Sequence, residues 1–147
     1  MKKVLVSYLS LDGHTERLAE YLAEGVRISG CEAEIKKIPE LKDVKDLEGY
    51  QGYIFGCPTY HRDMPQLMKT FLFLAKNAGL TGKAGGAFGS YTHSGDAPGL
   101  IFDTLKHVLK MKVVSLGSLN VVEDKVDTRE YLKACHDYAK ALCETIP

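Results

Sequence analysis

Three short stretches collect the side chains able to bind or react. The first, Ser10-Leu11-Asp12-Gly13-His14-Thr15, lies between an apolar run and an amphipathic helical pattern. It combines two hydroxyls, a glycine that permits close backbone approach, and the free N–H groups of a helix start. Together these suit an anion, above all a phosphate. The stretch contains neither Lys nor Arg, so neutral donors would hold that anion. The same residues also fit a plain strand-to-helix turn with Ser or Asp as cap. The second stretch is Cys57-Pro58-Thr59-Tyr60-His61-Arg62-Asp63-Met64-Pro65 and the third is Tyr91-Thr92-His93-Ser94-Gly95-Asp96. Each holds an aromatic ring and an imidazole between which a planar ligand can be sandwiched. Asp63-Met64-Pro65 and Asp96-Ala97-Pro98 both read as helix starts, with Asp as cap and Pro in the first turn, where no N–H is needed.

Spacing argues against other chemistries. No Gly-x-Gly-x-x-Gly follows the first strand-like run, which argues against a dinucleotide fingerprint. Gly79-Leu80-Thr81-Gly82-Lys83-Ala84 lacks the spacer and the terminal hydroxyl of a P-loop. From Cys57 to Arg62 the gap is one residue too short to wrap a phosphate. No HxxxH-type pair suggests a metal. The four cysteines, Cys31, Cys57, Cys135 and Cys143, form no CxxC pair and read as reduced, buried thiols of a cytoplasmic protein.

These stretches need elements to position them. Lys2–Tyr8 reads as a buried strand, followed by a helix over Thr15–Ser29 that Gly30 stops. Cys31–Lys37 reads as a strand whose charges suit a solvated edge. Asp43–Leu47 could form a short helix, and Tyr50–Gly56 is a third strand. Met64–Ala78 carries apolar residues at helical spacing. Lys83–Ser90 is a strand, Ala97–Lys110 a helix, and Lys112–Leu119 a fifth strand. Asp127 is expected to cap the last helix in a capping-box pair with Glu130. Five strand–helix units imply an α/β fold, three-layer and doubly wound, with a parallel sheet. Ligands bind such sheets beyond the carboxyl ends of the strands, where all three stretches fall. The length of 147 residues suits one domain over residues 1–147. No apolar run approaches a membrane span and no signal peptide is visible. The net charge of zero argues against non-specific nucleic-acid binding.

In order, these motifs resemble the flavodoxin family across essentially the whole chain. Ser10 to Thr15 resembles its phosphate loop, Ser/Thr-x-x-Gly-x-Thr. Gly56-Cys57-Pro58-Thr59-Tyr60 resembles the Gly-x-Pro-Thr-Tyr isoalloxazine loop. Ala87-Phe88-Gly89-Ser90-Tyr91 followed by Ser94-Gly95 resembles the second flavin loop, particularly that of flavodiiron proteins. The resemblance implies a five-stranded parallel sheet in the order 2-1-3-4-5 with FMN at its carboxyl edge. It implies that Ser10, Leu11, Asp12, Gly13, His14 and Thr15 hold the phosphate. Pro58, Thr59, Tyr60, His61 and Met64 would line one side of the ring, and Ser90, Tyr91, Thr92, His93 and Gly95 the other. Two features depart from typical members: the chain is neutral rather than strongly acidic, and it has no Trp.

The function implied is that of an FMN electron carrier exchanging electrons with transient redox partner proteins, as a monomer or weak dimer. The alternative is an NAD(P)H:quinone or FMN-dependent reductase. Such chains are usually longer, with an insertion for which Asn120–Val126, between the fifth strand and the last helix, leaves no room. A third class is a flavin-free interaction domain on the same fold. Charge is uneven: residues 51–110 hold six basic and three acidic groups. Partners less basic than those of acidic members are therefore expected, with weak salt dependence. Positive charge on His61 or His93 beside the ring would raise its potential at low pH.

Overall fold

The structure is a computed structural model and describes residues 2–10 and 13–147. Among the described residues the chain runs β1 (Lys3–Tyr8), α1 (His14–Ile28), β2 (Glu32–Lys37), β3 (Gly52–Gly56), α2 (Gln66–Lys76), β4 (Ala84–Tyr91), α3 (Asp96–His107), β5 (Lys112–Val113), β6 (Leu119–Val122) and α4 (Arg129–Thr145). One-turn 3-10 segments lie at Ile38–Glu40, Val44–Leu47 and Glu123–Lys125. The sheet is parallel throughout and ordered β2-β1-β3-β4-β5, with β6 also paired to β4. This is the expected 2-1-3-4-5 arrangement.

Alternation along β1 builds a core on each face. Val4, Val6 and Tyr8 pack with Leu18, Leu22 and Val26 of α1 and with Cys135, Tyr138 and Leu142 of α4. Leu5 and Leu9 pack with Met68, Phe71 and Leu72 of α2 and with Ile101 and Leu105 of α3. The edge-to-face pair Phe55–Phe71, with centroids 5.0 Å apart, clamps α2 onto β3. Such a pair contributes about 0.5–1.5 kcal/mol beyond its buried area. β2 is the edge strand its charges imply, with Glu34 paired to Lys3 at 2.7 Å.

Three local expectations are corrected. The fifth strand is not continuous from Lys112 to Leu119. β5 pairs with Ala84 and Gly85, the chain loops out, and β6 resumes opposite Phe88–Tyr91. A side chain from α4 fills the gap, because the Tyr138 hydroxyl accepts from Ala87 N (3.0 Å) and donates to Gly117 O (2.6 Å). Asp127 does not cap α4. Its carboxylate binds Arg17 and Tyr21 of α1, and Thr128 is the cap, accepting from Tyr131 N at 3.4 Å. Asp63 does not cap α2, which begins at Gln66 with Pro65 extended before it. Proline disfavours helical geometry in its predecessor, so Met64 stays outside the helix. Asp63 instead accepts from Met64 N (2.7 Å) and Lys69 Nζ (2.6 Å).

Candidate functional site

β1, β3 and β4 are adjacent and parallel, so Ser10, Cys57–Met64 and Tyr91–Gly95 all emerge at one edge of the sheet. Leu11 and Asp12 lie outside the described residues. Gly13, at φ +90°, makes the left-handed turn into α1 that a side chain would strain, and its N–H donates to Ser10 Oγ (3.1 Å). The N-cap of α1 is Gly13, which has no side chain with which to cap the helix. The first N–H groups of α1 point towards the edge where the loops emerge, as at any helix start.

The loops are tied to one another. Thr15 Oγ1 and Ser90 Oγ share a hydrogen bond of 3.0 Å, and both residues are fully buried. Thr59 N donates to Ser90 O at 3.3 Å. Thr59 Oγ1 in turn accepts from Ala97 N at 3.0 Å, so the loop after β3 caps the helix after β4. Gly89 allows the strands to close at this point, since a Cβ there would meet Cys57 O at 2.2 Å. Asp96, expected as a cap, is instead the first residue of α3, and its carboxylate meets Arg62 Nε at 3.3 Å.

Within the second loop, Tyr60 and Asp63 exchange backbone hydrogen bonds of 2.8 and 2.9 Å around His61 and Arg62. Both tip residues have positive φ, 50° and 63°. This is the type I′ turn usually built from Asn-Gly. His61 and His93 are both exposed.

Two neighbouring depressions open between the loops. His14, Tyr91, Thr92, Val122, Glu123 and Asp124 line one of ≈ 350 Å³. Thr59, His61, Arg62, Thr92, His93 and Ser94 line the other, ≈ 200 Å³. Thr92 belongs to both, and His14 Nδ1 stands 3.8 Å from Glu123 Oε2. Thr15, Pro58 and Ser90 form the buried floor rather than the lining. Met64 turns away, into an apolar groove with Leu72, Phe73 and Val108. Val122, Glu123 and Asp124 were not foreseen as part of the site. Only the register Tyr91↔Val122 brings them there, and they fall in what the sequence presents as a connector. Cys57, buried below the edge, has its thiol pushed up to about 12 by desolvation. It therefore stays protonated near neutrality and is a poor nucleophile.

The Flavodoxin family model matches residues 6–144. The chain belongs to the flavodoxin family. An archaeal flavodoxin superposes with a TM-score of 0.88 at 26% identity, covering 98% of both chains. The flavodiiron protein of Giardia intestinalis shares the fold over 99% of this chain and 37% of its own, at 24% identity and a TM-score of 0.83. In sequence, the NAD(P)H dehydrogenase (quinone) of Gluconacetobacter diazotrophicus is 36% identical over 141 residues, covering 80% of this chain and 71% of that protein.

Proposed function

We propose that this flavodoxin-family chain binds FMN between the three loops and passes electrons between redox partners. The observation that carries the proposal is the convergence at one edge of the sheet of the glycine turn into α1, with Ser10 beside it, and two depressions that the other two loops line. The donors fit the group. A phosphate would take N–H groups at the start of α1 and the Ser10 hydroxyl, favoured by the helix dipole. Tyr91 and Tyr60 are half-buried and exposed at the rim, where their rings would cover a flat heterocycle. When bound, FMN would supply one- and two-electron chemistry. The protein's part would be to hold it, orient it and keep water from it. Thr15 and Ser90 would fix the loops from below.

The reductase reading has its own support, since relatives 32–36% identical to this chain are NAD(P)H dehydrogenases (quinone) by name. Against it stands the short Glu123–Thr128 connection between β6 and α4. The carrier reading also takes transient protein partners, a monomer or weak dimer, and a cytoplasmic location that suits its four free thiols.

Titration of the apoprotein with FMN tests binding. Ser10→Ala, which removes a part-buried hydroxyl beside the turn into α1, should weaken it more than tenfold, the scale of a lost hydrogen bond to a charged acceptor, whereas Ser10→Thr should retain most of the affinity. No binding at all would leave a flavin-free interaction domain. For the loaded protein, photoreduction in two separated one-electron stages without NAD(P)H or quinone turnover fits the carrier. Direct oxidation of NADH or NADPH with quinone reduction would replace it by the reductase.

A further inference from the structure

At the opposite edge of the sheet, before β2 and near the end of α4, a depression of ≈ 500 Å³ is lined by Lys2, Ile28, Cys31, Lys140, Cys143 and Glu144, together with Ser29 and Gly30. It lies on the amino side of β1 and β2, away from the loops described above. Two of the chain's four cysteines face it. Cys31 is half-buried and packs against the core cluster that contains Cys143. We infer that Cys31 and Cys143 form an oxidisable dithiol site that takes a small hydroperoxide and closes to an intramolecular disulfide.

The asymmetry of the two thiols assigns their roles. Cys143 is 9% exposed. Burial, its Cys31 hydrogen-bonding neighbour and the Glu144 charge push its thiol up to about 12, with Lys2 opposing. It is shielded and protonated near neutrality, so it does not meet the oxidant first; in the second step its place beside Cys31 offsets its low thiolate fraction. Cys31 is the more accessible and stands on the depression shared with the ammonium groups of Lys2 and Lys140. With hydrogen peroxide as oxidant, the Cys31 thiolate attacks one peroxide oxygen, the O–O bond breaks, and hydroxide leaves to be protonated to water. The Cys31 sulfenic acid is then attacked by the Cys143 sulfur. The S–O bond breaks, a second water leaves with the thiol proton, and the S–S bond forms. Two thiols lose two electrons and two protons, and the peroxide becomes two waters. The other two cysteines, Cys57 and Cys135, are fully buried and belong to different core clusters, so they have no comparable route.

The inference is independent of the flavin. The purified protein, with whatever it carries, is treated with hydrogen peroxide, and thiols are counted and peptides mapped without reduction. The expected result is loss of two of the four thiols, a Cys31–Cys143 linked peptide on a monomeric chain, reversal by dithiothreitol, and a higher melting temperature for the oxidised form. Cys31→Ser should abolish both the link and the melting shift while folding normally, because residue 31 is half-exposed. Mapping the wild-type protein requires no variant, so an unstable Cys143→Ser would not obscure the outcome. A disulfide between two chains, over-oxidation of Cys31 without a link, or a link involving Cys57 or Cys135 would overturn the inference.

Discussion

At the residue scale, Ser90 connects the three loops. Its side chain meets Thr15 and its carbonyl meets Thr59. Because both hydroxyls of the Thr15–Ser90 pair are fully buried, removing one leaves the other without its partner. Ser90→Ala should lower stability by about 1–3 kcal/mol, the cost of an unsatisfied buried polar group. The double replacement Thr15→Ala/Ser90→Ala should cost less than the sum of the singles, measured by urea unfolding. Strict additivity would mean that the two hydroxyls do not act together. The two exposed histidines contrast with this pair. His61 and His93 stand on the rim with water around them, so any influence on a bound ring is screened compared with that of a buried charge.

At the element scale, two backbone features carry consequences. The first is the interrupted edge of the sheet, where the Tyr138 hydroxyl serves Ala87 N–H and Gly117 C=O at once. Tyr138 is 3% exposed, so Tyr138→Phe strands both groups away from water. The expected loss is about 2–4 kcal/mol, a sum over two unsatisfied backbone groups, and amide exchange at Ala87 should accelerate. A loss within error of zero would show that water replaces the hydroxyl. The second is the His61–Arg62 turn. Side chains in the left-handed region cost about 1–2 kcal/mol each. Its exposed Arg62–Asp96 pair returns little, since Arg62 is 83% exposed. His61→Asn combined with Arg62→Gly, the preferred type I′ pair, should therefore raise stability by about 1 kcal/mol. A lower melting temperature would show that contacts of the His61 and Arg62 side chains outweigh the backbone strain.

At the scale of the whole molecule, burial of weak acids sets the alkaline limit. Desolvation raises Tyr8, Tyr53, Cys57 and Cys135 to about 12, and raises Tyr50 and Tyr138 as well. In the unfolded chain these groups ionise near 9.0 for thiols and 10.0 for phenols. Across that window the native state holds more protons than the unfolded state, so stability falls as pH rises. The melting temperature should be level between about pH 7 and 8 and decline continuously from about pH 9 towards 12. A flat profile to about pH 11 would contradict the burial of these groups. The acid limb should be shallow, because carboxyls held low by lysines, such as Asp63 and Asp137, are paired on the surface. Net charge zero with a basic middle segment gives a related expectation. Electron transfer with a basic partner should change little between low and high ionic strength, and a rate that collapses with salt would refute it.

By itself the sequence determined the layers and the location of the chemistry. Val4, Leu5 and Val6 mark a strand buried on both faces, and helical stripes such as Leu18, Leu22 and Val26 each find one core. The order of strands and helices places Ser10–Thr15, Cys57–Met64 and Tyr91–Gly95 on one edge, because parallel connections leave all carboxyl ends together. These are properties of local pattern and chain direction, which composition and spacing record. Tertiary structure alone decided how the pieces meet. Asp127 has the residue type and position of a helix cap, yet two partners on α1 claim it, and the cap passes to Thr128. Met64 sits in the right loop, but Pro65 holds it outside α2 and its side chain enters a different groove. Residues 112–122 read as one strand and a connector until Tyr138, distant in sequence, satisfies the groups between two short strands. That pairing also brings Val122, Glu123 and Asp124 to the site. Each of these outcomes depends on a hydrogen bond or register between residues far apart in the chain, and such competition between partners is settled only when the elements pack.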